Sequence, residues 1–347
     1  MKTKVRKTYN YLIRFLIIFA TYGFIYQQLF YKHDLKQVYQ SFLNSFNNNY
    51  FIYIAIALFI LMFLNWAVEA IKWRLLISKI ERISWYKSFK AVLSGVAVSS
   101  FTPNRVGDYF GRVFILERAN RIEGVFITIL GSMSQLLITF TVGTSSLYVM
   151  FAAYPQTLLN YFNIPDYLYV YFLWGGAVLV IAANILVTLL FLNISVLSSL
   201  TGRLKGKMVE KLQSYIQVLS AYTLRELFIV ILLSLLRFII FSSQLYLLLL
   251  LFSVNLPYVE AMMIIAVIFF VMTMIPTVAI TELGIRGSVS LFLLGLYFGN
   301  PLELPTMISL GIVAASTTLW IINLAIPALL GGIFVFNLKF FRKGSDE

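Results

Sequence analysis

The residues best suited to chemistry lie in a short charged segment between two apolar runs. This segment, "SSFTPNRVGDYFGRVF" (Ser99–Phe114), contains Arg105, Asp108 and Arg112. A guanidinium group can bind a phosphate through two parallel hydrogen bonds, and a carboxylate can act as an acid or base. The segment is therefore a candidate binding site for an anionic ligand. The alternative, that the three residues pair with one another and only stabilise a turn, stays open.

A second segment has a similar composition. "MIPTVAITELGIRGSVSLF" (Met274–Phe292) contains Glu282 and Arg286. A further arginine, Arg237, lies near the middle of the apolar stretch "LLSLLRFIIFSSQLY" and has no acid near it in the sequence. Ionisable residues within a membrane are costly and often functional. We therefore expect Arg237 to have a carboxylate partner, such as Glu282 or Asp108, to face a water-filled cavity, or to bind an anionic ligand.

Both segments contain helix-breaking residues. Pro103 and Gly107 interrupt the first segment, and Pro276 and Gly284 interrupt the second. We interpret these four residues as structural breaks. Irregular backbone within a membrane is tolerated only where it is buried in protein or lines a water-filled cavity, so both breaks are expected to face a cavity.

The composition indicates an integral membrane protein made of α-helices. Of the 347 residues, 60% are hydrophobic and 12% are charged, and the mean hydropathy is +0.87. A helix needs about 20 apolar residues to cross a hydrocarbon core of about 30 Å. We expect the first such run to remain as a signal anchor. The long runs are 11–30, 51–70, 123–150, 168–192, 226–252 and 306–335, and the shorter ones are 88–101, 259–275 and 287–299.

The distribution of positive charge predicts the orientation in the membrane. The net charge is +13, and most Lys and Arg residues lie near the termini and in 72–90, 105–121 and 203–225. Basic loops stay in the cytoplasm, so both termini are expected there. The segments 151–167 and 253–258 contain no Lys or Arg and are expected outside. Membrane topology therefore explains the charge, and we expect no nucleic-acid partner.

This orientation predicts two hairpins that enter the membrane from opposite sides. Residues 88–118 start and finish in the cytoplasm, whereas 259–299 would enter from outside. The two hairpins and about six full spans together predict an all-α polytopic bundle. In this bundle 51–150 and 226–335 are inverted half-repeats, as in transporters with a midplane site. The alternative is that the second hairpin is two ordinary short helices. The whole chain, 1–347, would be one membrane domain, with 1–50 and 151–225 as additional spans and connections.

Several kinds of chemistry have no residues to support them. The chain has no cysteine and a single histidine, His33, which argues against thiolate chemistry, His/Cys zinc sites and a Ser-His-Asp triad. It also lacks a G-x-x-x-x-G-K-[ST] nucleotide-binding motif. We therefore expect no cofactor and no bound metal.

Other polar residues have plainer explanations. Glu69, Lys72 and Arg74 lie near Trp66 and Trp73, a combination that favours an interfacial anchor. Polar residues elsewhere in the apolar runs either line a polar path or form hydrogen bonds between helices. These residues are Ser132, Ser134, Gln135, Thr139, Thr141, Gln244 and Asn323.

The two charged segments resemble a known family. "GVAVSSFTPNRVGDYFGR" (Gly95–Arg112) and "TELGIRGSVSLFLL" (Thr281–Leu294) are similar to signatures of the lysylphosphatidylglycerol synthase transmembrane, flippase-like family. The resemblance implies a protein of the bacterial inner membrane that translocates, or acts on, lipids with polar or phosphate headgroups. Only a short tail, "KFFRKGSDE", ends the chain, so we expect no aminoacyl-transferase domain. The residues that match the family pattern are Pro103, Arg105, Gly107, Asp108, Arg112, Glu282, Gly284 and Arg286.

These observations lead to three functional hypotheses. The leading one is a flippase-like transporter that translocates a lipid with an anionic or polar headgroup. The second is a membrane-embedded enzyme, or a subunit of one, that acts on a lipid-phosphate with Asp108 or Glu282 as acid or base. The third is a scaffold for a separate lipid- or glycosyl-transferase. Membrane lipids are the expected partners, while a homo-oligomer and a partner transferase stay open.

Overall fold

The computed structural model describes residues 50–153, 165–194, 217–275, 279–299 and 304–335, with four isolated positions besides. Every regular element in these ranges is helical, which confirms an all-α protein. The α-helices are α1 (Phe51–Ile77), α2 (Trp85–Ser99), α3 (Gly107–Val113), α4 (Arg121–Ala153), α5 (Asp166–Leu192), α6 (Leu224–Leu251), α7 (Tyr258–Met274), α8 (Ala279–Tyr297), α9 (Thr306–Trp320) and α10 (Ile326–Val335).

Four of the described helical stretches are long and apolar enough to cross a membrane. They are Phe51–Ile77, Arg121–Ala153, Tyr167–Leu192 and Thr306–Val335, with 26 to 33 residues each. At 1.5 Å per residue, each exceeds the hydrocarbon thickness of about 30 Å. Helix α6 coincides with a fifth expected run, and the expected run 11–30 lies outside the described residues. The protein is thus an integral membrane protein with long apolar helices.

The first predicted break is present and has a clear local cause. Helix α2 ends at Ser99, and Asn104 and Arg105 then adopt left-handed backbone conformations with φ of 48° and 56°. The Thr102 hydroxyl accepts a hydrogen bond from the N–H of Gly107 at 2.9 Å, at the first residue of α3. The chain therefore reverses within a few residues, as the proline and glycine of this segment predict.

Helices α2 and α3 pack closely because glycines face each other. A Cβ at Gly111 would lie 2.7 Å from the Cα of Gly95, which is too close for any side chain. Glycine at both positions lets the two backbones touch and forms a tight helical hairpin. The hairpin brings Asp108 and Arg112, both on α3, against the helices around it.

The second break lies between α7 and α8, but one of its predicted residues is wrong. Helix α7 ends at Met274, Ile275 is extended with ψ of 112°, and α8 begins at Ala279. Pro276 lies outside the described residues. Gly284 is no break, because α8 continues through it and a Cβ there would meet no atom of the described residues within 4 Å. An isolated glycine is tolerated within a helix, so Gly284 alone does not predict a break.

The last long helix contains a turn of π-helix at Ile321–Ala325. The N–H of Ile326 bonds to the carbonyl of Ile321, five residues back. Pro327 follows and has no N–H to bond to the carbonyl of Asn323, which accounts for the local widening. Such π turns often occur at functional sites, and this one places the buried Asn323 among other polar groups.

The buried apolar residues form two clusters. One contains Trp66, Trp320 and Leu324, and the other contains Phe238 and Leu319. All five residues also line one cavity. The cavity therefore lies where the two hydrophobic cores meet.

Candidate functional site

The cavity lies between the two breaks and has a volume of about 530 Å³. This size falls within the range of small-molecule binding sites, roughly 300–1,000 Å³. One part of its wall is apolar and aromatic, with residues that include Phe238, Phe241, Phe269 and Met272. The other part is polar and charged, with Asn65, Asn104, Arg105, Gln135, Thr139, Arg237, Glu282, Arg286 and Asn323.

One charged cluster, the Glu282 cluster, joins the two breaks and consists of Arg105, Glu282 and Arg286. Nη2 of Arg105 donates to both carboxylate oxygens of Glu282 at 2.7 Å. Nη2 of Arg286, one helical turn further along α8, donates to Oε1 at 2.6 Å. Glu282 is 4% exposed, so a buried carboxylate lies between two guanidinium groups. The first break is thereby bound to the helix that follows the second.

A second cluster, the Glu69 cluster, consists of Glu69, Lys72, Asp108, Arg112 and Arg237. Arg112 forks onto Asp108, with Nε on Oδ1 at 2.8 Å and Nη2 on Oδ2 at 2.6 Å. Its Nη1 donates to Glu69 at 2.7 Å. Glu69 also accepts from Arg237 at 3.0 Å and pairs with Lys72 at 2.9 Å. One carboxylate on α1 therefore joins cations from α1, α3 and α6.

Lys72 extends this cluster into the interior of the bundle. It is 1% exposed, and its Nζ donates to the carbonyl of Gly131 at 3.1 Å and to Oγ of Ser234 at 3.3 Å. Ser134 and Ser234 share a hydrogen bond of 2.8 Å between α4 and α6. The ammonium group is thus fully coordinated away from the cavity and serves to hold helices together.

A chain of side-chain amides connects the Glu69 cluster to the π turn. Nε of Arg237 donates to Asn65 at 3.0 Å, and Asn65 donates to Asn323 at 2.9 Å. Asn323 in turn donates to Gln244 at 3.1 Å. These residues belong to α1, α6 and the π segment, so the guanidinium of Arg237 is oriented from both ends. Its plane also lies over the Trp66 ring, 5.3 Å from the centroid.

Several buried polar atoms of cavity-lining residues have no hydrogen-bond partner among the described residues. They include Nε and Nη1 of Arg286, Nε1 of Trp66 and Trp320, and Oε1 of Gln135. A buried polar group without a partner costs about 1–3 kcal/mol, so such atoms are expected to find a partner in use. Four of the five are donors. This imbalance suits a ligand rich in acceptor oxygens.

The structure brings some predicted residues onto the cavity wall and leaves others beside it. Arg105, Arg237, Glu282 and Arg286 line the cavity. Asp108 and Arg112 do not, because Arg112 is 5% exposed and uses its guanidinium on Asp108 and Glu69. Asp108 and Arg112 therefore stabilise the residues next to the cavity without lining it themselves.

Two sequence interpretations are wrong. The carboxylate partner of Arg237 is Glu69, and neither Glu282 nor Asp108 bonds to it. Glu69 and Lys72 are buried at the centre of a cluster, so they are not an interfacial anchor. A signal was present, because Asn65, Glu69 and Lys72 have the i, i+4, i+7 spacing of a single helix face.

The described residues contain no group of three His, Cys, Asp or Glu side chains that could hold a metal ion. The acids at the site, Glu69, Asp108 and Glu282, are each bound by one or more cationic side chains. The geometry therefore favours recognition of an anion by arginine rather than coordination of a cation.

Comparison with known proteins yields one match. A family model described as the lysylphosphatidylglycerol synthase TM region matches residues 11–326, which include both breaks and every residue of the two clusters. No curated protein and no solved structure matches the chain. The match covers most of the 347 residues and agrees with the resemblance of the two charged segments. The chain belongs to the family of lysylphosphatidylglycerol synthase transmembrane regions.

Proposed function

We propose that the protein binds a lipid with an anionic or polar headgroup in this cavity and moves the headgroup across the membrane. The observation that carries this proposal is the two-sided wall: arginines with unused N–H groups face the same space as a set of aromatic and aliphatic side chains. A lipid has the same division between a polar headgroup and an apolar tail. Arg286 is 8% exposed, and two of its nitrogens have no partner among the described residues, so it would contact the headgroup.

The arrangement of the breaks supports transport. In our proposal α2–α3 enters from the cytoplasm and α7–α8 from the opposite side, within about six spans and two inverted halves. Broken helices that meet near the midplane are typical of transporters with alternating access. The ion pair of Arg105 and Glu282 lies where the first break meets the start of α8. We place the protein in the bacterial inner membrane with both termini in the cytoplasm.

The enzymatic alternative has weaker support. A general acid or base needs a carboxylate that is free to exchange a proton with substrate. Asp108 is forked by Arg112, and both oxygens of Glu282 accept from Arg105. Guanidinium groups in this position occupy the lone pairs of both carboxylates. Nothing in the described residues specifically favours a scaffold.

Proteoliposomes test the proposal directly. The purified protein is reconstituted with a headgroup-labelled anionic phospholipid, and loss of label to an impermeant quencher measures transfer between leaflets. We expect transfer well above that of empty liposomes, with the lipid chemically unchanged by mass spectrometry. Arg286→Gln should abolish most of the transfer, whereas Arg225→Gln, an exposed arginine near the start of α6, should not. A chemically altered lipid, or transfer equal to that of empty liposomes, would contradict the proposal.

A further inference from the structure

The charges of the two clusters do not balance. The Glu282 cluster has two cations, Arg105 and Arg286, for one carboxylate. The Glu69 cluster has three cations for two carboxylates, Glu69 and Asp108. With each group in its ordinary ionisation state, each cluster has one positive charge in excess. The described residues around the cavity thus have a formal charge of +2.

A charge on the wall of a partly enclosed cavity keeps only part of its hydration, so an anionic partner there stabilises it. Both excess charges reach the cavity wall, through Arg237 on one side and through Arg105 and Arg286 on the other. Lys72 and Arg112 do not line it. The natural compensation is therefore a ligand that lies between the two clusters.

The three arginines on the cavity wall have donors that such a ligand could use. Arg237 uses Nε and Nη1 on Asn65 and Glu69, which leaves Nη2 without a partner among the described residues. Nε and Nη1 of Arg286 have no partner in the described part of the chain, where Arg105 forms hydrogen bonds through Nη2 alone. Guanidinium forks suit phosphate oxygens, which accept two parallel hydrogen bonds.

We infer that the headgroup bound in this cavity carries at least two negative charges, as a phosphate monoester or a diphosphate does. A phosphodiester headgroup has one negative charge and would leave one cluster uncompensated. This inference rests on the proposed function, since it names the substrate class of the same site. It concerns the charge of the headgroup and leaves the length and type of the tail open.

Binding measurements on the detergent-purified full chain test the inference. Ligands that bind only the folded state raise its thermal stability in proportion to the logarithm of their concentration. We expect farnesyl diphosphate to bind at least about tenfold more tightly than phosphatidylglycerol, a difference of about 1.4 kcal/mol. Inorganic diphosphate distinguishes a free anion from a lipid headgroup. If it binds as tightly as farnesyl diphosphate, the site recognises a free anion. If it binds more weakly, the site recognises the headgroup of a lipid.

A single substitution can reverse the preference without removing an arginine. Gln135 lines the cavity, and its Oε1 has no partner within the ranges that the structure describes. Gln135→Glu keeps the size of the side chain and lowers the charge around the cavity to +1. We expect it to weaken binding of farnesyl diphosphate by about tenfold and to reduce or reverse the preference over phosphatidylglycerol. Gln217→Glu makes the same chemical change at an exposed position in the turn before α6 and should leave both affinities unchanged.

The outcomes separate the inference from the proposed function. Equal binding of phosphatidylglycerol and farnesyl diphosphate by the wild-type protein, with transfer of phosphatidylglycerol in liposomes, would overturn the inference and leave the function standing. Failure to bind or move either lipid would contradict the function itself. A Gln135→Glu protein that still discriminates like the wild type would show that the charge of the cavity does not set the preference.

Discussion

Arg105 and Glu282 are 177 residues apart in the sequence, and one guanidinium nitrogen of Arg105 lies 2.7 Å from both carboxylate oxygens of Glu282. The two residues differ strongly in environment. The side chain of Arg105 is 46% exposed, whereas that of Glu282 is 5% exposed. Water can therefore replace this contact for Arg105 but not for Glu282.

This asymmetry predicts unequal effects of removing either partner. Glu282→Gln leaves the buried Arg286 without its carboxylate and should destabilise the protein by about 3–5 kcal/mol. Arg105→Gln leaves Glu282 bound to Arg286 and should cost about 1 kcal/mol or less, because water screens the exposed arginine. Thermal unfolding in detergent measures both. Equal losses of stability would mean that the buried Arg286 does not depend on the carboxylate of Glu282.

Arg286→Lys and Arg112→Lys should fail in different ways. Arg112 makes three hydrogen bonds to Asp108 and Glu69, and a lysine cannot reproduce the fork, so we expect loss of stability and of yield. Arg286→Lys can still pair with Glu282 but loses the unused guanidinium donors. It should fold with near-normal stability and lose most lipid transfer.

For both lysine variants, the melting temperature and the lipid transfer are measured on the same preparations. Arg225→Lys, an exposed arginine, serves as the control for both readouts. Normal transfer by Arg286→Lys would show that the charge alone is sufficient there. Unchanged stability of Arg112→Lys would show that the Glu69 cluster does not need the fork.

Two glycines from the family pattern should differ in their response to alanine. A Cβ at Gly107 would lie 2.5 Å from the carbonyl oxygen of Val98, so Gly107→Ala has to displace the hairpin and should lower the melting temperature markedly. Gly284 is in the interior of α8, and a Cβ there would have no neighbour within 4 Å in the described part of the chain. Gly284→Ala should be neutral or stabilise the helix by about 0.5–1 kcal/mol. A harmful Gly284→Ala would indicate a ligand or a moving element that approaches this face.

Acidification should weaken the loop between α1 and α2. Glu81 is partly buried, which opposes its ionisation, but the N–H groups of Ala119, Arg118 and Glu117 donate to its carboxylate and hold the pKa of Glu81 below its ordinary value of 4.5. Its stabilising effect is therefore complete above pH 4.5 and is lost as the pH falls further. Glu81→Gln should be about 1 kcal/mol less stable at pH 7.

The difference between wild type and Glu81→Gln should shrink as the pH is lowered below 4.5, and melting curves at several pH values measure it. Glu123→Gln, in the first turn of α4, is the matched control and should show a smaller difference. A constant gap between wild type and Glu81→Gln across the pH range would show that the ionised carboxylate is not what stabilises this loop.

Single cysteines test the orientation in the membrane, since the chain has no native cysteine. Arg82→Cys lies in the exposed loop after α1, which we expect in the cytoplasm, and Asn255→Cys lies in the exposed turn between α6 and α7, which we expect outside. An impermeant maleimide added to intact cells should label only Asn255→Cys, and opening the cells should make Arg82→Cys reactive. The opposite labelling would invert the proposed topology.

The apolar runs and the breaks were predictable because both depend on local chemistry. Runs such as 123–150 can only be long helices, and Pro103 with Gly107 interrupts a helix wherever it occurs. The sequence predicts that both breaks face a cavity, but it does not predict which of their charged residues meet. The exact contact, with one carboxylate between two arginines, depends on three-dimensional packing.

The sequence did not reveal the role of residues whose depth in the membrane is ambiguous. Glu69 and Lys72 follow an apolar run and have Trp66 and Trp73 beside them, as an interfacial anchor would. Their burial results from α3 and α6 packing over α1, which local sequence does not reveal. Gly284 was wrongly predicted to break the helix. Its neighbours allow α8 to continue through it without strain.

The excess of two positive charges around the cavity also determines how the protein would respond to the membrane potential. Moving one elementary charge through 100 mV is worth about 2.3 kcal/mol, so moving two is worth about 4.6 kcal/mol. A cavity loaded with a dianion is electrically neutral, and its reorientation would be insensitive to voltage. The empty cavity would carry both charges on its return, and a potential that is negative inside would draw it towards the cytoplasm. The voltage would then act on the empty protein and set the direction in which it resets.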